Sequence, residues 1–156
     1  MNDITRRTTQ HIGAAGELLV QYQLLKLGID SARLTTDSGI DLVVHAPATG
    51  SATTVQVKSV ELSTPAGGRG RMALGWTFPH DTRAELLAFT YLERDLVWLL
   101  TTEEAQQLAQ QHSEKGVRRL YFYTDHSTPQ RAGVPLLISD LETYLLERQA
   151  PSLFLQ

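Results

Sequence analysis

The sequence predicts a mixed α/β fold: one long helix first, then a meander of short strands, then strands and helices interleaved. Three observations carry that expectation. A single helical periodicity opens the chain, short runs rich in β-branched residues follow it between turn signals, and two S/T-x-x-E capping boxes lie in the second half. This order is not the regular alternation of a βαβ repeat, so the sheet is expected to be mixed.

The opening helix lies in "TTQHIGAAGELLVQYQLLKLG". Thr8 or Thr9 supplies the N-cap oxygen, Leu18, Tyr22 and Leu25 recur at helical spacing, and Gly28 closes the helix. Strands are then expected at "SARLTT" (31–36), "IDLVVHA" (40–46) and "TTVQVKSV" (53–60). "STPAGGRGRMALGW" begins as a Gly/Pro loop and ends as a fourth strand. "ELLAFTYLERDLVWLLTT" reads as two strands joined by a Glu-Arg-Asp turn, with Trp76 and Trp98 in the core. Thr101 and Glu104 form a capping box for a helix over "EEAQQLAQQHS", and "VRRLYFYT" is a further strand. Ser139 and Glu142 are a second capping box, opening a final helix expected to stop before Pro151.

At 156 residues, with no repeat and no linker, the chain is expected to be one domain over 1–156. Its 42% hydrophobic and 20% charged residues describe a globular chain. A net charge of −3 excludes a protein that coats nucleic acid non-specifically, so any such role must rest on local patches. The absence of cysteine removes disulfides, thiolate metal sites and cysteine nucleophiles. No secretory core or membrane-length apolar run is present, from which a cytoplasmic location without membrane attachment is expected. The five histidines show no HExxH or other paired-ligand spacing, although His45 shares the Asp41 face of its strand. No GxSxG occurs.

Three polar residues on two neighbouring strands call for an explanation. Gln56 and Lys58 share one strand face and Val55 and Val57 the other, while Asp41 lies opposite Leu42 and Val44. Putting all four apolar residues on one face of a hairpin pairs Val44 with Val55 and Leu42 with Val57. It also places Asp41 across from Lys58, with Gln56 diagonal to both. An exposed Asp–Lys pair worth about 0.2–1 kcal/mol would account for this without any function. Glu17 argues further. Its helical neighbours Ala14, Val20, Gln21 and Leu24 make a largely apolar stripe, where a carboxylate is costly unless paired or bound to a cation. A glutamate whose stem lies along the core with its head in water would satisfy the same pattern.

Taken together, "GAAGELLVQYQLLKLG", "SGIDLVV" and "VQVKS" resemble the PD-(D/E)xK nuclease superfamily, in particular its archaeal Holliday-junction resolvase and Mrr-type restriction endonuclease branches. The resemblance covers roughly residues 9 to 110. It implies a restriction-endonuclease-like fold and a metal-dependent site of Glu17, Asp41, Gln56 and Lys58. Glu17, Asp41, Gln56 and the backbone carbonyl of Val57 would face the ion. It further implies Mg²⁺ or Mn²⁺ as cofactor, DNA as substrate, 5′-phosphate and 3′-hydroxyl products, and relatives that act as homodimers. One departure stands out: Gln56 occupies the usual acidic position of the acidic-x-Lys motif. Two carboxylates then match one divalent cation, held tightly, with any second ion dependent on substrate phosphate. The alternative is a catalytically inactive nuclease-fold module that binds DNA or a protein. Arg69 and Arg71, in "GGRGR" after the Lys58 strand, are candidate phosphate contacts, and Arg6 with Arg7 a candidate N-terminal arm. Arg118 and Arg119 read as a solvated strand end. Gly13 and Gly16 loosely suggest a phosphate loop, but close packing of the helix explains them better.

Overall fold

The computed structural model describes residues 6–36 and 38–156; residues 1–5 of the N-terminal segment and Asp37 lie outside them. Helix α1 (Thr9–Lys26) starts on Thr8, whose hydroxyl accepts the His11 N–H at 3.3 Å while the Thr8 N–H donates to His11 Nδ1 at 3.2 Å. It ends where Gly28 takes φ +77, a conformation a side chain would strain.

Strands β1 (Asp30–Arg33), β2 (Leu42–His45) and β3 (Ala52–Val60) form the expected antiparallel meander. The chain then leaves this sheet. Short β4 (Thr64–Pro65) and β5 (Met72–Pro79) belong to a second sheet, before β6 (Leu86–Tyr91) returns beside β3 in parallel and β7 (Leu96–Thr101) pairs antiparallel with β6. The first sheet has the order β1-β2-β3-β6-β7. The second has the order β4-β5-β9-β8, with β8 at Gln111–His112 and β9 at Val117–Tyr123. The fold is thus mixed α/β, an N-terminal helix and a mixed sheet flanked by helices.

Burial explains the layering. Val20 and Leu24 of α1, with Leu146, Ala150 and Phe154 of α3 (Leu146–Phe154), cover one face of the first sheet, where Leu42, Val44, Val55, Leu86, Ala88 and Leu99 point. The opposite face presents Leu87, Phe89, Trp98 and Leu100 to Leu74, Trp76, Phe78, Leu120 and Phe122 of the second sheet. β6 contributes to both cores, and every one of its six residues is buried. Trp76 and Trp98 meet edge to face at 5.6 Å in the inter-sheet core.

Leu18, Tyr22 and Leu25 form the solvent face of α1, each more than half exposed, and the face presented to the sheet is Gly16, Val20 and Leu24, on the apolar stripe that flanks Glu17. Four expectations are corrected. The β2–β3 hairpin pairs Leu42 with Val55 and Val44 with Thr53, a shift of two residues from the expected Val44–Val55 pairing. Gly50, at φ +71, lets its N–H reach the Ala46 carbonyl at 2.8 Å and draws the turn tight, which moves the pairing while keeping every apolar side chain on its side. The helix after Thr101 is capped as expected, but α2 (Thr102–Leu108) stops early. Gln110 instead pairs through its side chain with the Tyr121 backbone at 2.7 and 3.0 Å, and Gln111–His112 join β9. Ser139 caps nothing: Asp140 accepts the Leu136 and Leu137 N–H groups at 3.0 and 2.9 Å above a 3₁₀ segment, Ile138–Tyr144. α3 then runs through Pro151, where one main-chain hydrogen bond is lost while Ala150 and Phe154 stay buried on either side.

Candidate functional site

The site lies where β2 peels away from β3. The regular ladder ends at Leu42–Val55, so the β2-facing edge of β3 is unpaired by strand beyond that point. Asp41 fills the first gap. Its N–H donates to the Val55 carbonyl at 2.9 Å and its Oδ2 accepts the Val57 N–H at 2.7 Å, a short bond to a charged acceptor. The Val57 carbonyl leaves the strand on the same edge as its N–H and faces the same opening. The Asp41–Lys58 cross-strand pair of the sequence register is therefore replaced by an Asp41–Val57 main-chain contact.

α1 crosses above this edge at close range because Gly16 has no side chain. A Cβ there would stand 1.8 Å from Ser59 Oγ and 2.9 Å from Ser59 Cβ. That approach brings Glu17, one residue on, to the mouth of the gap. Glu17 Oε2 lies within the fork of Arg33, 2.9 Å from Nε and 2.8 Å from Nη2. Burial pushes the Glu17 carboxyl above its ordinary value of 4.5, the Arg33 hydrogen bond pulls it back, and the negative charge of Asp41 pushes it up again. Two carboxylates thus share one space.

A cavity of about 440 Å³ gathers Glu17, Asp41, Gln56, Val57 and Lys58 with Arg33, Gln10, Thr35 and Thr36 on its wall. On the other side of Val57 and Lys58 a more apolar cavity of about 460 Å³ runs along Ile12, Val60 and Leu62, so Lys58 stands between two openings. Gln56 is 7% exposed and its amide oxygen accepts the Thr82 hydroxyl at 2.8 Å, which turns it toward the loop before β6. Among the described residues no three His, Cys, Asp or Glu side chains gather as a metal-binding group. The donors present at the gap are two carboxylates and one strand carbonyl, all hard oxygens of the kind Mg²⁺ and Mn²⁺ prefer, so the residues fit such an ion without a third acid.

In fold, this chain is similar to a bacterial homing endonuclease. The solved structure of I-Ssp6803I superimposes with a TM-score of 0.62 over 95% of this chain and 96% of that one, at 16% sequence identity. No family model matches the sequence, and no curated protein matches it.

The other sequence candidates fall elsewhere. Arg69 is exposed beside the 3₁₀ turn Ala66–Gly68, and Arg71 donates to Ser127 Oγ at 2.6 Å and to Asp125 at 3.4 Å; neither lines the cavity. Arg7 pairs with Glu61 at 2.7 Å, and His45 is exposed at the far end of β2. Arg33 was not singled out from the sequence. Its signal was faint: a cation at the end of the strand that borders the Asp41 strand, opposite Leu42. No helix among the described residues is long and apolar enough to cross a membrane.

Proposed function

We propose that the chain is a PD-(D/E)xK-type, Mg²⁺- or Mn²⁺-dependent DNA endonuclease, a single domain that hydrolyses phosphodiester bonds to 5′-phosphate and 3′-hydroxyl ends. The observation that carries the reading is the gathering of Glu17, Asp41, the Val57 carbonyl and Lys58 on one cavity, at the point where a strand pair opens. Glu17 and Asp41 would hold the ion from the helix and strand sides, with the Val57 carbonyl between them. When bound, such an ion polarises a phosphoryl oxygen and lowers the pKa of water. Lys58 orients the attacking water and offsets the charge that develops on the phosphoryl group, in a pocket partly shielded from solvent where an ammonium acts strongly. Asp41 is positioned twice over by its main-chain contacts, and the Gly16 approach fixes the helix that carries Glu17. Gln56 spends one lone pair of its amide oxygen on the Thr82 hydroxyl, which leaves the other for the ion. Arg69 is free to meet a backbone phosphate; Arg71 does so by giving up Asp125 and Ser127.

The test is cleavage of a panel of labelled DNA structures in Mg²⁺ and Mn²⁺. Lys58→Ala and Asp41→Ala should each lower the rate at least about a hundredfold with the fold retained by circular dichroism. Wild-type rates in both variants would refute the site.

A second reading has two observations in its favour: Gln56 faces Thr82 and Arg33 holds Glu17, as in a pocket that no longer takes an ion. Such a module would bind DNA or a protein without cutting. With DNA bound, Mg²⁺-dependent thermal stabilisation that disappears in Asp41→Asn argues for the nuclease, and a wild type that Mg²⁺ leaves unchanged even on DNA for the module.

A further inference from the structure

The charged side chains lining the cavity are Glu17, Asp41, Arg33 and Lys58 among the described residues, two of each sign. The pocket is therefore neutral before any ion arrives, and not doubly negative as the two carboxylates alone would make it. A divalent cation entering a neutral pocket leaves two uncompensated positive charges, and like charge at a few ångströms in a half-buried space is costly. A phosphodiester brings a compensating negative charge.

The contact itself is asymmetric. Arg33 grips only one oxygen of Glu17, Oε2, with both Nε and Nη2, and leaves Oε1 out of the fork. The Arg33 side chain is 45% exposed, at the end of a sheet-edge strand, so nothing in its burial pins it to this one partner. It can keep Glu17 in place or turn toward a phosphate with little rearrangement of the backbone.

We propose that Arg33 is the resting counter-ion of Glu17, a positioning residue that makes binding of the divalent cation depend on the phosphate of the substrate. The inference rests on the nuclease reading of the same pocket and changes one of its terms: the ion is held weakly by the protein alone and tightly only with DNA. The geometry supplies the reason, since the same guanidinium that cancels a ligand charge in the empty pocket is a phosphate fork when DNA is present.

The experiment titrates Mn²⁺ into the full chain without DNA, reading free Mn²⁺ by electron paramagnetic resonance, for wild type, Arg33→Gln, Arg33→Lys and Asp41→Asn. Arg33→Gln should bind Mn²⁺ about tenfold or more tightly than wild type, Arg33→Lys should match wild type because it keeps the charge, and Asp41→Asn should lose binding. Thermal melts of the metal-free variants establish that each is folded. Arg33→Gln binding no tighter than wild type, or more weakly, overturns the counter-ion role while leaving the site intact. Absence of Mn²⁺ binding in both wild type and Arg33→Gln overturns the metal reading itself, and the inference with it.

Discussion

Glu17 carries a prediction about pH. Its carboxyl is held above 4.5 chiefly by burial, so the folded chain binds that proton more firmly than the unfolded chain. The stabilisation this gives is complete below the unfolded value of about 4.5 and is lost as pH rises through the folded value. Without metal, Glu17→Gln should therefore melt above wild type at pH 7, by a margin that closes as the pH falls through the folded value and is gone below about 4.5. Scanning calorimetry across pH 4 to 8 checks this, and a Glu17→Gln variant less stable than wild type at pH 7 would contradict it. Gly16 makes the companion case. A Gly16→Ala methyl meets Ser59 Cβ at 2.9 Å, which no rotation of the serine relieves, so the helix must lift. The expected cost is about 1–3 kcal/mol in urea unfolding. Glu17, Asp41, Val57 and Lys58 were legible in the sequence as types and spacings. Arg33 was not, because a lone arginine at a strand end is ordinary until the pairing of its strand is known.

The elements were legible wherever local chemistry decides them. The Thr8 and Thr101 caps, the Gly28 stop and the β-branched runs each act within a few residues, and each element begins or ends near them. Periodicity was less reliable, since α1 carries apolar residues around most of its circumference. Leu18, Tyr22 and Leu25 and, separately, Val20 and Leu24 both read as stripes, and only the sheet's position selects between them. Alanine substitution separates the two faces. Leu24→Ala should cost about 2–5 kcal/mol, with a smaller loss for Val20→Ala, whereas Leu18→Ala and Leu25→Ala should stay within about 0.5 kcal/mol. Equal losses on both faces in denaturant titrations would place the helix wrongly. The hairpin register failed for a different reason. A strand has period two, so hydrophobic patterning fixes parity and leaves a shift of two residues unseen; the turn at Gly50 decides it.

At the scale of the whole molecule the sequence could indicate a mixed sheet, but not that the chain departs from it between β3 and β6 to build a second one. That departure depends on Leu74, Trp76 and Phe78 finding Leu120 and Phe122 some 45 residues later, a pairing that no local signal announces. Its consequence is a shared strand. β6 turns Leu86 and Ala88 toward the helices and Leu87, Phe89 and Tyr91 toward the second sheet, so neither core can melt while the other keeps its wall. One cooperative transition should follow, consistent with a single domain. The probes are conveniently segregated, because both tryptophans report the inter-sheet side, whereas far-UV ellipticity reports chiefly α1, packed on the other face. Phe89→Ala, which removes a ring 5.3 Å from Trp76 and 5.8 Å from Phe78, should cost about 3–5 kcal/mol. The sharper variant is Leu86→Ala, whose side chain lies on the helix side: it should lower the midpoint seen by tryptophan emission as much as that seen by ellipticity. A tryptophan midpoint that stays in place while the ellipticity midpoint falls would show two independently melting halves, and the shared-strand account would be lost.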